Sequence, residues 1–325
     1  MYRVLFLFIP IFLFAKIITP SYELNINHNI ISMELIEGRL FVATDFGEVL
    51  EITFDESLKN IQEHSIVKLP DIRGFLDDFY APKVFSVDLY KGKYLINSEG
   101  SEGTKNLFIL DGELVLIFGA ENFLNIKKAL FINEEQIFLG LVSNEILLYD
   151  LKHSKILYRK QLSEARFSDF VLSEDRKYFL STSESGILYY GKTQDGEILQ
   201  TFEEVNKDNV YEVKMKKDSM GNNIIITAGQ DRKVGVYFLD SQQKRQFYIK
   251  ESEFLVYSVG LNENASRGAY TKNENSDIIV FDIKSKEEVA YLKWHTNLLN
   301  SILFINDTIL VSSEDAQRIL FWKLP

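Results

Sequence analysis

Cysteine is absent from the 325-residue chain. That excludes disulfides, thiolate metal ligation, covalent haem attachment and a lipid-anchored N-terminus. Proline occurs five times and no low-complexity tract interrupts the sequence, so long disorder is not expected. Positive charge is in deficit: 36 Lys and Arg against 47 Asp and Glu leave a net charge of -11. A phosphate-binding face is disfavoured on that ground, and nucleic acid is not expected as a partner. The four histidines, His28, His64, His153 and His295, show none of the close spacings that gather metal ligands. There is no Gly-x-Ser-x-Gly elbow and no glycine-rich phosphate loop between a strand and a helix. With no constellation for chemistry in view, neither a catalytic residue nor a cofactor or metal ligand is assigned, and the chain reads as a non-enzyme. An enzyme or small-ligand binder with a site assembled from distant parts of the chain is the alternative.

What is present is apolar material for a core, 46% hydrophobic and 13% aromatic residues, arranged in short β-like runs. The clearest is TAGQDRKVGVY at 227–237, flanked by Ile224, Ile225 and Ile226 on one side. Two short strands pinched by a turn fit it, with Gly229 expected to take the positive φ and Asp231 to accept hydrogen bonds from turn amides. Similar closing strands start at Val49, Leu107, Ile146, Ile187, Val234, Ile278 and Ile319. Successive starts lie 58, 39, 41, 47, 44 and 41 residues apart by subtraction. A repeat of about 40–45 residues is a propeller period, and the 58 marks an insertion after the first unit.

The spacing of Thr227, Asp231 and Tyr237 resembles that of a WD repeat, and so does the stretch from Trp294-His295 through Ser312 and Asp315 to Trp322. The resemblance implies an all-β, seven-bladed WD-repeat-like β-propeller over residues 16–325. It also implies structural roles for Thr227, Asp231, Tyr237, His295, Asp315 and Trp322, the last three bonded together with Ser312. Tyr149-Asp150 and Phe281-Asp282 stand where the Trp-Asp pair of the family is expected, while Tyr190-Gly191 lacks the acid. The last unit is one strand short, since little chain follows Trp322. The alternating Tyr22, Leu24 and Ile26 can supply that strand and so close the ring without a long unpaired edge.

Ahead of that strand, Arg3, an apolar run over residues 4–14 and the small Ala15 have the order of a signal peptide, too short to span a bilayer. Residues 1–15 are therefore expected to be removed, leaving a periplasmic chain with no membrane span. The insertion, PDIRGFLDDFYAPK at 70–83, mixes charge with exposed-looking aromatics, the composition of a contact surface. Arg73, Phe75, Asp77, Asp78 and Tyr80 are its candidate partner-binding residues. Arg232 and Lys233 join them, since their turn lies on the same propeller face.

The fifth-unit hairpin and the junction built on Phe75, Pro82, Lys83, Ser86, Val87 and Asp88 are similar to those of the NapL family, accessory proteins of periplasmic nitrate reductase systems. What that similarity implies is a maturation or electron-delivery factor whose partners are nitrate reductase components. A propeller enzyme, or a small-ligand or metal binder, using the central tunnel is the alternative, and a scaffold for outer-membrane protein assembly is a further one.

Overall fold

The computed structural model describes residues 16–240, 242 and 244–325, so the expected signal peptide at 1–15 lies outside the described residues. Seven antiparallel sheets follow one another along the chain, forming the blades of a seven-bladed propeller. The innermost strands are Ile30–Ile36, Val84–Tyr90, Ile126–Asn133, Phe167–Leu172, Val210–Lys217, Val259–Leu261 and Leu299–Phe304 for blades one to seven. The recurrent strands picked out by their spacing are the third of each blade, not the last. In blades one to six a more polar fourth strand follows, such as Lys155–Gln161 or Arg245–Glu251.

Each blade has two apolar faces, and seven apolar clusters fill the seven interfaces between neighbouring blades. Phe138, Ile146 and Leu148 of blade three meet Phe167, Phe170 and Phe179 of blade four, for example. No blade can bury its faces alone, so the ring is the smallest stable unit.

Ring closure follows the strand count. Tyr22–Asn25 pairs antiparallel with the third strand of blade seven, Tyr22 opposite Phe321 and Leu24 opposite Ile319. Ile26 continues into the cluster shared by blades seven and one. One strand was not foreseen: Lys16–Ile18 pairs parallel to Glu288–Leu292 as a fifth strand on blade six.

Neighbouring inner strands are pinned by side chains. Asp88 accepts a hydrogen bond from the Phe131 amide at 2.7 Å, Asp169 from Val213 at 3.2 Å, Glu212 from Val259 at 2.8 Å and Ser301 from Met33 at 3.3 Å. A bonded carboxylate replaces backbone partners that a splayed inner strand cannot reach.

Candidate interaction face and central tunnel

The fifth blade shows how its hairpin is held. Asn206, from the loop that enters the blade, donates to Asp231 Oδ1 at 3.1 Å and accepts from the Thr227 hydroxyl at 2.7 Å. Thr227 in turn accepts from the Gly235 amide at 2.9 Å. Tyr237 is fully buried and packs edge-on against Phe202. The positive φ expected at Gly229 falls instead on Arg232 (63°). Gly229 is needed for close approach: a Cβ there would lie 2.2 Å from Asn206 Nδ2 and 2.3 Å from Asp231 Oδ1.

Blade seven keeps part of its expected set. The Ser312 hydroxyl accepts from Trp322 Nε1 at 2.8 Å and lies 2.9 Å from His295 Nε2. Burial pulls His295 down to about 4, against the Glu314 carboxylate, so the ring is neutral at neutral pH. Asp315 does not belong to the set. It is exposed, and the fully buried Glu314 takes the acidic role, accepting from the Thr296 and Asn297 amides and from Arg318. The longer glutamate stem reaches the loop from one position earlier.

The insertion at 70–83 is a small hairpin rather than an irregular loop. Ile72 pairs with Tyr80 and Arg73 with Phe79, and the Arg73 and Asp77 side chains pair with each other. Ile72 and Leu69 are buried beneath it, the Arg73 amide donates to Ser101 Oγ, and Tyr80 donates to Glu99. Phe75, Leu76 and Phe79 are left 79%, 90% and 70% exposed. Asp78 is exposed beside them. Arg73 and Asp77 satisfy each other, so the apolar tip is what this hairpin offers.

The connections from a fourth strand to the next first strand, and from second to third strands, share one face of the ring, the upper face. Of the exposed large apolar residues, Phe46, Phe75, Leu76, Phe79, Tyr80, Phe123, Trp294 and Leu298 lie on it, whereas the lower face has only Met220 among the described residues. Sequence reasoning missed Phe46 and Phe123, single aromatics in short loops. Arg232 and Lys233 share this face but belong to blade five, three blades round the ring from the hairpin. The Lys233 carbonyl is occupied by Asn206.

At its waist the central tunnel carries a belt of charged side chains from different blades. Lys128 pairs with Asp169 and Lys214 with Glu212, at 2.8 and 2.7 Å. Against the pull of burial, Asp169 and Glu34 raise Lys128. Glu34, from blade one, faces the same space and has no hydrogen-bond or ion-pair partner among the described residues. Burial raises its pKa from 4.5, with Lys128 and Lys214 opposing. Cavities of about 370 and 290 Å³ open on either side of this belt. No group of three metal-ligating side chains occurs among the described residues, and none of their helices is long and apolar enough to cross a membrane.

Glu34 carries a stability prediction. Between 4.5 and its raised folded value the native state holds more proton than the unfolded chain, so stability falls as pH rises through that window. Above that window the full penalty is present, and there Glu34→Gln is expected to raise the melting temperature by a few degrees. Melts below the unfolded value should show no gain, and an equal gain at both pH values would mean that the charge is not the cause.

No protein-family model matches the sequence, and no curated protein matches it. The solved β-propeller domain of Cps50 (Swd1) from Myceliophteria thermophila superposes with a TM-score of 0.71, covering 94% of this chain and 99% of that one at 13% identity. With so little identity the likeness extends to the fold alone, and this chain has a WD40-like seven-bladed β-propeller fold.

Proposed function

We propose that the protein is a non-enzymatic interaction scaffold that holds another protein on its upper face, chiefly on the 72–80 hairpin. The observation that carries this is a hairpin tip, tied down by hydrogen bonds at its base, with three large apolar side chains in water. Stranding them there costs solubility, and a partner that covers them recovers about 1.5–3 kcal/mol for each side chain fully buried. The propeller fold supports protein partners in general. The finer reading is an exported accessory factor, in which residues 1–15 direct the chain to the periplasm and the partner belongs to a nitrate reductase system. It rests on the sequence pattern and the NapL-like stretches alone.

The test places a photo-crosslinking residue at Leu76, in the wild type and in a Phe75→Ser/Phe79→Ser variant. Adducts should form in a periplasmic extract with the first and be lost with the second, at unchanged melting temperature. Identical adducts from both would move the site elsewhere. A captured protein unrelated to nitrate reduction would remove the finer reading only.

The tunnel supports a second reading. An unpartnered Glu34 beside a 370 Å³ cavity suits a small cationic ligand, whose retention native mass spectrometry would reveal. A mass equal to the bare chain would count against it.

A further inference from the structure

Lys83, Lys105, Lys127 and Arg166 gather on the upper rim of the tunnel, although the chain as a whole is strongly acidic. Each stands at or just before the upper end of a strand: Lys83 before Val84–Tyr90, Lys105 at the start of Lys105–Asp111, Lys127 in Ile126–Asn133 and Arg166 before Phe167–Leu172. Blades two, three and four thus present them side by side.

None of the four has a carboxylate within ion-pair distance among the described residues. Lys105 sits 3.8 Å over the Phe85 ring instead. Lys127 and Phe85 line the 290 Å³ upper cavity with Lys128, Ser168, Tyr211 and Tyr257, and the belt carboxylates Glu34, Asp169 and Glu212 line it too. Burial, then the Lys127 and Lys83 ammoniums, lower Lys105 against the pull of Glu99. Desolvation lowers Lys127 too, Asp169 opposing and Arg166 adding to it. Cations left crowded and unpaired are held at a cost that an arriving anion removes.

We propose that this rim receives the carboxylates of an acidic protein segment whose apolar side chains lie on the neighbouring hairpin. The inference rests on reading the upper face as a protein-binding surface, and it adds the chemistry of what binds. The apolar tip at Phe75 and Phe79 adjoins the rim through blade two: the Arg73 amide bonds Ser101, and a Cβ on Gly103 would meet Phe75 at 3.5 Å. Mixed apolar and anionic character belongs to a peptide rather than to a phosphodiester chain. At physiological salt the remaining negative charge is screened beyond about 8 Å, so the local cluster decides which sign is attracted.

The test titrates the protein with two short fluorescein-labelled peptides, a Glu-Tyr repeat and its Gln-Tyr counterpart, with oligouridylate as a polyphosphate competitor. The Glu-Tyr peptide should bind roughly tenfold more tightly at low salt and lose that preference as salt rises. Lys105→Gln/Lys127→Gln/Arg166→Gln, with melting temperature unchanged, should abolish the preference without weakening the Gln-Tyr peptide further. Equal binding of both peptides, no binding of either, or displacement by oligouridylate as effective as by unlabelled Glu-Tyr peptide would each overturn the inference. Phe75→Ser/Phe79→Ser separates the two readings. If both peptides bind equally but need those residues, the protein-binding face stands and the acidic segment fails. Glu-Tyr binding that needs the rim but ignores the hairpin upholds the acidic segment and removes the hairpin from the site.

Discussion

A chain starting at Asn27 should lose more than about 5 kcal/mol relative to one starting at Lys16, a large share of what a domain has. Two losses combine. Ile26 leaves a cluster with Ile319, Phe321 and Val311, and a core Ile-to-Ala change alone costs about 2–5 kcal/mol. The strand from Arg318 to Lys323 then loses the partner that its register gives it at Phe321, Leu320, Ile319 and Arg318, leaving backbone groups bare at an edge. A chain starting at Ser21 is the control. It removes residues 16–20, and with them the parallel strand Lys16–Ile18, whose Ile17 is already 63% exposed, and should melt close to the longer chain. Calorimetry on the three chains decides it. A synthetic peptide spanning 19–28, added in trans, should restore the transition of the shortest. If the Asn27 chain melts within a few degrees of the longest, the closing strand is ornamental.

That strand was legible because it is a counting argument: alternation at Tyr22, Leu24 and Ile26 met a final unit one strand short. The third strands were legible for the same local reason, each being a run of apolar residues just past a turn. Contacts that bridge the chain left weaker traces. Asn206 reaches Thr227 and Asp231 across more than twenty residues, and nothing around it distinguishes it from a loop asparagine. Glu314 and Asp315 are adjacent acids, and only the burial of the first separates them. The tunnel belt was legible in principle as charges set in otherwise apolar inner strands, Glu34, Lys128, Asp169 and Glu212. Their spacing is that of the blades, so they converge only when the ring closes. The 70–83 segment announced its exposure by composition. Its pairing was hidden because two-residue strands have no period to read.

A single side chain ties three blades together, and losing it should cost a large part of the stability of the ring. Arg176, at φ 55° in the lower turn of blade four, reaches past blade three to Asp88 on the inner strand of blade two, with contacts of 2.7 and 3.2 Å. It also donates to the Phe131 carbonyl at 2.5 Å, and its guanidinium lies 5.0 Å from the centre of the Tyr90 ring. The Asp88 side chain is 4% exposed and that of Arg176 19%. Arg176→Met keeps most of the stem and the same backbone strain while stripping the charge. Asp88 is then left buried with only the Phe131 amide, and removing one partner of such a pair costs about 3–5 kcal/mol. Asp88→Asn added to Arg176→Met removes the stranded charge and keeps an acceptor for that amide, so the double variant should recover a substantial part of the loss. Urea unfolding of wild type, both single variants and the double variant yields the coupling between the two sites. Additive losses would mean that Arg176 stabilises the ring through its contacts with Phe131 and Tyr90, with no part played by its charge on Asp88.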